Sequence, residues 1–171
     1  MALIKSVRGF TPKIGEGCYL AENATIVGDV VMGKECSVWF NAVVRGDVNS
    51  IRIGNRVNIQ DCAVLHTLYQ KSVIEIGDNV SIGHNVTVHG ACIKNNVLIG
   101  MGATILDDAV INENTIIAAG SVVLAKTITE PNSIYAGVPA VKVKDIDPAQ
   151  TEEMVNKIAR NYIMYSGWYK E

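Results

Sequence analysis

The amino-acid sequence predicts an all-β solenoid, a parallel β-helix whose coils are triangles with three flat sides. Three observations support this fold class: bulky apolar residues recur at every sixth position, a small or β-branched residue follows most of them four positions later, and Gly often follows them directly. An α-helix cannot produce this repeat, because its own period is about 3.6 residues. A repeat of six gives one flat side and one turn, so three repeats close a coil of about 18 residues.

The repeat runs through most of the chain and is broken by insertions. We place the repeats at about residues 14–128 of a solenoid domain that covers residues 1–143, and residues 67–75 are predicted to be a loop that leaves and re-enters one corner. We expect the Gly that follows a bulky residue to tolerate the backbone of the turn. The bulky residues are Ile14, Leu20, Ile26, Met32, Val38 and Val44, then Ile53, Ile59 and Leu65, then Ile76, Ile82 and Val88, then Ile93, Ile99, Ile105, Ile111, Ile117 and Val123.

Residues 144–171 are predicted to form a C-terminal helix that packs along the solenoid. Asp147 suits the N-cap, Pro148 suits the first helical position, and Gln150 can complete a capping box. Because apolar residues recur at helical spacing, one face of this helix should contact the solenoid. That face comprises Met154, Val155, Ile158, Tyr162 and Tyr165.

Composition restricts the class of protein and of partner. The chain has 171 residues, 49% of them hydrophobic, and a net charge of −2, which suits one domain and provides no basic stripe for nucleic acid. No apolar run is long enough to span a bilayer, and residues 1–9 lack the apolar core of a signal peptide, so we expect a cytoplasmic protein with no membrane contact. None of the cysteines lies in a C-x-x-C pair, so we expect four buried, reduced thiols. They are Cys18, Cys36, Cys62 and Cys92.

The three histidines become significant when the repeat is folded. Stacking the coils puts His66 and His89 in one column, above Arg45, with about 4.8 Å between neighbouring backbones. Two imidazoles at that spacing can bind one ion. His84 lies on the adjacent face, directly above Asp61, so we expect it to reach an ion held by a neighbouring chain. A threefold assembly would then form three sites of three histidines each, although a single histidine taken alone is more often structural.

Several motifs connect this pattern to a known family. They are residues 37–47 (Ser-Val-Trp-Phe-Asn-Ala-Val-Val-Arg-Gly-Asp), residues 58–61 (Asn-Ile-Gln-Asp), His66, and residues 82–90 (Ile-Gly-His-Asn-Val-Thr-Val-His-Gly), with the more general stretches 98–103 and 136–140. Over about residues 10–145 the sequence closely resembles the gamma-class carbonic anhydrase family of hexapeptide-repeat proteins. The resemblance implies a left-handed coil and a homotrimer with metal between subunits.

The resemblance also implies a reaction and assigns roles to residues. His66, His84 and His89 would be the metal ligands, with Zn²⁺ as the expected ion and Fe²⁺ or Co²⁺ also accepted by an all-imidazole site. The implied reaction is the reversible hydration of CO2 to bicarbonate. Gln60 would hydrogen-bond the attacking water or hydroxide, with Asn58 close by. The remaining matched residues are Arg45 and Asp47, which we expect to form a structural ion pair at the subunit contact, and Asp61, which matches a partner of that arginine.

The chain departs from the family at the proton-transfer residues. Val48 occupies a position where efficient members carry a glutamate, and the short stretch 67–72 contains no carboxylate. Tyr69 and Glu75 are the remaining candidate relays, although each is more simply read as a surface residue. We therefore expect slow turnover.

Two other functions remain open at this stage. Many hexapeptide-repeat proteins are acyltransferases that use acetyl-CoA, but that chemistry needs a histidine available as a base rather than three histidines on an ion. The chain could also be a non-catalytic, metal-stabilised trimeric scaffold. A CO2 hydration assay and a thioester assay, each with and without chelator, separate these possibilities.

Overall fold

The computed structural model describes residues 1–169 and confirms the predicted parallel β-helix, which has about seven turns. We label its three faces a, b and c. Face a contains β2 (Lys13–Ile14), β9 (Ile74–Ile76), β12 (Cys92–Ile93) and β15 (Val110–Ile111). Face b contains β3 (Tyr19–Leu20), β5 (Ser37–Val38), β7 (Asn58–Ile59), β10 (Ser81–Ile82), β13 (Leu98–Ile99), β16 (Ile116–Ile117), β18 (Ser133–Gly137) and β19 (Ala140–Asp145). Face c contains β1 (Leu3–Lys5), β8 (Val64–His66), β11 (Thr87–His89), β14 (Thr104–Ile105) and β17 (Val122–Val123).

Two longer strands join faces c and a. They are β4 (Thr25–Met32) and β6 (Val43–Ile53), whose first residues pair on face c and whose last residues pair on face a. The bulky residues stack in register inside the coil, as predicted: Val44 pairs with Leu65, which pairs with Val88, and all three are fully buried. Each coil therefore adds the same apolar layer to one continuous core.

The predicted reason for the Gly residues that directly follow bulky residues (the Gly column) is wrong. Gly15 and Gly33 do not have positive φ angles, but a Cβ on Gly15 would lie 2.2 Å from the carbonyl oxygen of Gly33 in the next coil. Gly is needed there because the coils approach closely. The left-handed corner positions hold other residues, for example Asn79, Asn96 and Asn114, with φ of 56°, 55° and 55°. Asn tolerates this backbone better than most residues do.

The two ends of the solenoid and its one long insertion differ in part from the prediction. The strand β1 precedes the first predicted repeat and pairs with the start of β4. At the other end β18 and β19 form an antiparallel hairpin, so strand structure continues past residue 143, the expected end of the solenoid domain. The insertion predicted at residues 67–75 is a loop only over residues 67–73, because its last two residues belong to β9.

The C-terminal helix covers face b. It comprises α1 (Pro148–Thr151), a π-helical segment (Glu152–Asn156) and α2 (Lys157–Gly167), and residues 170–171 of the predicted element lie outside the described residues. The predicted capping box of Asp147 and Gln150 is confirmed. Met154 is wrongly placed on the contact face, because it is 41% exposed, whereas Val155 and Ala159 are buried. The π-helical segment has a wider turn than an α-helix, which rotates the contact face.

The cysteines are less uniformly buried than predicted. Cys36 is buried, Cys18 and Cys92 are partly buried, and Cys62 is exposed. Cys62 occupies a left-handed corner with a φ of 61°, so it is not one of the inward positions of the repeat. None of the four forms a disulfide. Within residues 1–169, no helix is long and apolar enough to cross a bilayer.

Candidate metal centre

The structure confirms that His66 and His89 form a column on face c. Arg45 pairs with His66 across β6 and β8, and His66 pairs with His89 across β8 and β11. The two imidazole rings have centroids 5.3 Å apart and are tilted by 60°. Both side chains are partly buried, because each projects from a strand whose neighbouring residues point into the core. The strand register alone therefore places the two imidazole rings side by side on face c.

His84 lies at the other side of the solenoid corner. It follows β10, and its Nδ1 atom lies 2.8 Å from Oδ2 of Asp61 in the preceding coil. This is the position above Asp61 that the repeat predicts. In one chain, the described residues bring together no group of three His, Cys, Asp or Glu side chains that could hold an ion. A site of three histidines therefore needs more than one copy of the chain.

A carboxylate that sequence reasoning missed lies behind His89. Nδ1 of His89 lies 2.9 Å from Oδ2 and 3.0 Å from Oδ1 of Asp107, and the Ser72 hydroxyl donates to Oδ1 at 2.6 Å. Burial opposes ionisation of Asp107, but the hydrogen bonds from Ser72 and His89 outweigh it and lower the pKa of this carboxyl group. Because an ionised carboxylate only accepts hydrogen bonds, Nδ1 of His89 is the donor in this contact, and in a neutral ring the lone pair is then on Nε2. Asp107 follows His89 by one coil, a spacing that could have identified it.

His66 has a different environment. Its Nε2 atom lies 3.3 Å from Oδ1 of Asp47, which is long for a hydrogen bond, while Nη1 of Arg45 donates to Oδ2 of the same carboxylate at 2.7 Å. Burial, and then the nearby Arg45 charge, lower the pKa of His66. Burial works against the charge of Asp47, but Arg45 outweighs it and lowers that pKa too. A lowered pKa favours the neutral imidazole, which is the form that binds metal.

The expected ion pair of Arg45 and Asp47 is present within one chain. The carboxylate of Asp61 contacts His84 instead of Arg45 in the single chain. Any contact of Asp61 with an arginine across subunits stays a prediction.

Gln60 and Asn58 form an ordered pair of amides on face b. Gln60 is 5% exposed and Asn58 is 1% exposed. Nε2 of Gln60 donates to Oδ1 of Asn58 at 2.9 Å, and Nδ2 of Asn58 donates to the Ser81 hydroxyl at 2.7 Å. This chain of bonds fixes the Gln60 amide and leaves its Oε1 atom to accept another hydrogen bond. Asn58 thus holds the Gln60 side chain in one orientation.

A cavity of about 400 Å³ separates this part of face b from helix α2. Gln60 and His84 line it together with apolar side chains such as Leu98 and Met101, and Tyr162 of the helix closes one side. Burial, and then the Asp61 carboxylate, raise the pKa of Tyr162 to about 12, so its phenol stays neutral. The cavity therefore combines an apolar wall with an imidazole and an oriented amide.

The two candidate proton relays, Tyr69 and Glu75, lie in different parts of the fold. Tyr69 lies in the loop after His66 and is 51% exposed, with the Arg8 guanidinium 5.4 Å from its ring centroid. Glu75 lies in β9 on face a, in register with Cys92, and so on a different face from the histidine column. Glu75 therefore does not share the face that carries His66 and His89.

The arrangement suits a borderline divalent ion such as zinc. Two of the three imidazoles lie side by side with ring centroids 5.3 Å apart, and the Nδ1 atoms of His84 and His89 lie close to carboxylates. Metal-binding histidines commonly use this carboxylate contact to fix the ring and its tautomer.

Comparison with known proteins agrees with the motifs. Residues 11–46 and 90–125 match the family described as bacterial transferase hexapeptide (six repeats). The chain is 48% identical to a carbonic anhydrase of Geobacillus kaustophilus, over 98% of this chain and 91% of that protein. It is 51% identical to a probable carbonic anhydrase of Methanocaldococcus jannaschii, over 89% of this chain and 92% of that protein.

A solved structure gives the same fold under another description. A crystal structure of a Bacillus cereus protein, described provisionally as an acetyltransferase, superposes with a TM-score of 0.94 at 40% identity and covers 99% of this chain and 97% of that one. The fold is thus shared by proteins named for different reactions: the two sequence relatives above are named as carbonic anhydrases, and the Bacillus cereus protein is named as an acetyltransferase. By sequence, repeat and fold, the chain belongs to the gamma-class carbonic anhydrase family of hexapeptide-repeat proteins.

Proposed function

We propose that this protein is a zinc-dependent carbonic anhydrase that works as a homotrimer and hydrates CO2 to bicarbonate reversibly. The observation that carries the proposal is the division of the histidines in one chain. His66 and His89 lie side by side with ring centroids 5.3 Å apart, whereas His84 lies on the other side of the corner beside Asp61. That division suits a site completed by a second copy.

The metal would be held by His66 and His89 of one chain and His84 of the next. A bound divalent ion would supply hydroxide at neutral pH, because it lowers the pKa of a coordinated water from about 15.7 to about 7. The surroundings of two of these histidines favour metal binding. Burial favours neutral His66, and Asp107 leaves the Nε2 lone pair of His89 available.

Gln60 would orient the attacking oxygen. One N–H of its Nε2 atom donates to Asn58, and its Oε1 atom would accept a hydrogen bond from the O–H group of the nucleophile, which would direct the oxygen lone pair towards the carbon of CO2. The apolar wall of the adjacent cavity, which includes Leu98 and Met101, would hold CO2 and exclude competing water.

Face c would be the contact between subunits. Face b is covered by the C-terminal helix, whose Val155 packs with Ile116. One column of outward positions on face c, by contrast, is uncharged and β-branched, and its Val64 is 37% exposed. Those positions are Thr25, Val43, Val64, Thr87, Thr104 and Val122. This column can be buried against a second copy without desolvating any charge of its own, and Arg45 in the neighbouring outward column is already paired with Asp47.

Release of the proton would be the slow step of the reaction. Val48 and the loop at residues 67–73 provide no carboxylate near the histidine column, and Glu75 lies on another face. The proton must then pass directly to a buffer molecule. We expect slow turnover that rises with buffer concentration.

Acyl transfer is the competing function, because the repeat family and the Bacillus cereus structure carry transferase descriptions. It requires a histidine that is available as a base, whereas His66, His84 and His89 would all be occupied by the ion. A metal-stabilised scaffold is a third possibility. It predicts that a chelator lowers thermal stability while no hydration activity appears with any metal.

One experiment separates these functions. The anaerobically purified protein is analysed for metal, and CO2 hydration and acetyl-CoA thioester turnover are assayed before and after chelation. Our proposal predicts about one zinc per chain and chelator-sensitive hydration. Chelator-insensitive thioester turnover without hydration would support acyl transfer instead.

A further inference from the structure

The carboxylate of Asp107 connects His89, a proposed metal ligand, to a surface loop. It contacts Nδ1 of His89 at 2.9 Å and accepts a hydrogen bond from the Ser72 hydroxyl at 2.6 Å. Ser72 is 3% exposed, and its oxygen also accepts the backbone N–H of Leu68 at 3.1 Å. Because that N–H occupies a lone pair of the hydroxyl, the Ser72 proton is directed to Asp107. The Leu68 N–H therefore orients the Ser72 hydroxyl, which in turn orients the Asp107 carboxylate.

Gly90 provides the space for this junction. Its φ angle is +60°, and a Cβ atom there would lie 2.1 Å from Oγ of Ser72 and 2.3 Å from Oδ1 of Asp107. No other residue type fits without moving both partners. The residue after His89 therefore leaves room for the carboxylate and the hydroxyl to meet behind the imidazole.

We propose that Asp107 is a positioning residue of the metal centre, with Ser72 as the residue that holds it in place. Asp107 keeps the proton of His89 on Nδ1 and so presents the Nε2 lone pair to the ion. Ser72 couples the loop at residues 67–73 to the same ring. This inference rests on the proposed function only for the use of His89 as a ligand, because the tautomer is a property of the chain itself.

The test combines metal affinity with the tautomer of His89. The variants are Asp107→Ala, Asp107→Asn and Ser72→Ala. The matched control is Asp108→Asn, which removes the same charge at the next, exposed position, where a φ of 61° suits Asn. Zinc affinity is measured by chelator competition. The tautomer is read from ¹⁵N NMR of metal-free protein in alkaline buffer, where imidazoles are neutral.

We expect the Nδ1–H form of His89 in the wild type and in the control. Asp107→Ala should lose that preference and bind zinc about 10–100-fold more weakly, with a smaller loss for Ser72→Ala. Asp107→Asn retains an oxygen acceptor, so it should recover part of the affinity, and it replaces the Ala variant if the latter does not fold. Tautomer and affinity equal to those of the control in both Asp107 variants would overturn the proposal.

The two proposals fail separately. If the wild type binds zinc but does not hydrate CO2, the proposed function fails while the tautomer result still tests Asp107. If hydration is present and the Asp107 variants bind zinc like the control, the positioning role alone is refuted.

Discussion

The ladder of asparagines at one corner should contribute measurably to the stability of the solenoid. Asn96 has a φ of 55° and lies in the middle of the ladder. Its Oδ1 atom accepts from Nδ2 of Asn79 at 3.1 Å, and its own Nδ2 donates to Oδ1 of Asn114 at 3.1 Å. Asn96→Ala removes both hydrogen bonds, which contribute about 1 kcal/mol each. It also places an alanine in the left-handed region, which costs about 1 kcal/mol more.

The free energy of unfolding should therefore fall by about 3 kcal/mol in Asn96→Ala. Asn96→Gly loses the same hydrogen bonds without the backbone strain, so it should lose about 2 kcal/mol. Both are measured by urea denaturation at one fixed protein concentration, because the stability of an oligomer depends on concentration. An Ala variant as stable as the wild type, or a Gly variant less stable than the Ala variant, would refute this reasoning.

Three further predictions concern the site and the cysteines. Gln60→Ala should lower kcat for CO2 hydration by about 100-fold while the zinc content measured by elemental analysis stays unchanged, and a parallel loss of zinc would count against an orienting role. Removing zinc from the wild type should lower the free energy of unfolding by about 2.7 kcal/mol when free zinc had been at 100 times its Kd, and an unchanged melting temperature would argue against a resident ion. A thiol reagent should label exposed Cys62 much faster than buried Cys36, as peptide mass analysis can show, and preferential labelling of Cys36 would contradict the described burial.

The coil and the histidine register could be predicted from the sequence because parallel stacking turns spacing into position. Once the repeat is counted, His66 and His89 must fall in one column and His84 must lie above Asp61. The same counting would have identified Asp107 one coil beyond His89. It was missed because an acidic residue on a turn ordinarily indicates only solvent exposure.

Other features depend on contacts that a repeat does not encode. Ser72 reaches Asp107 from an irregular loop, whose path no period describes. The exposure of Met154 follows from a π-helical segment, and an α-helical wheel places it on the wrong face. The Gly column was found from the sequence, but its cause, close contact such as that between Gly15 and the carbonyl of Gly33, becomes visible only when coils are stacked.

A mixing experiment tests most directly whether neighbouring chains share each metal site. His84→Ala and His66→Ala variants are each purified, shown to bind little zinc, and then co-refolded in equal amounts with subunit exchange verified by mass spectrometry. A site is complete only where a chain with intact His66 and His89 meets a neighbour with intact His84, so the mixture should recover about a quarter of the wild-type zinc content. A mixture that binds no more zinc than either variant alone would contradict the shared site.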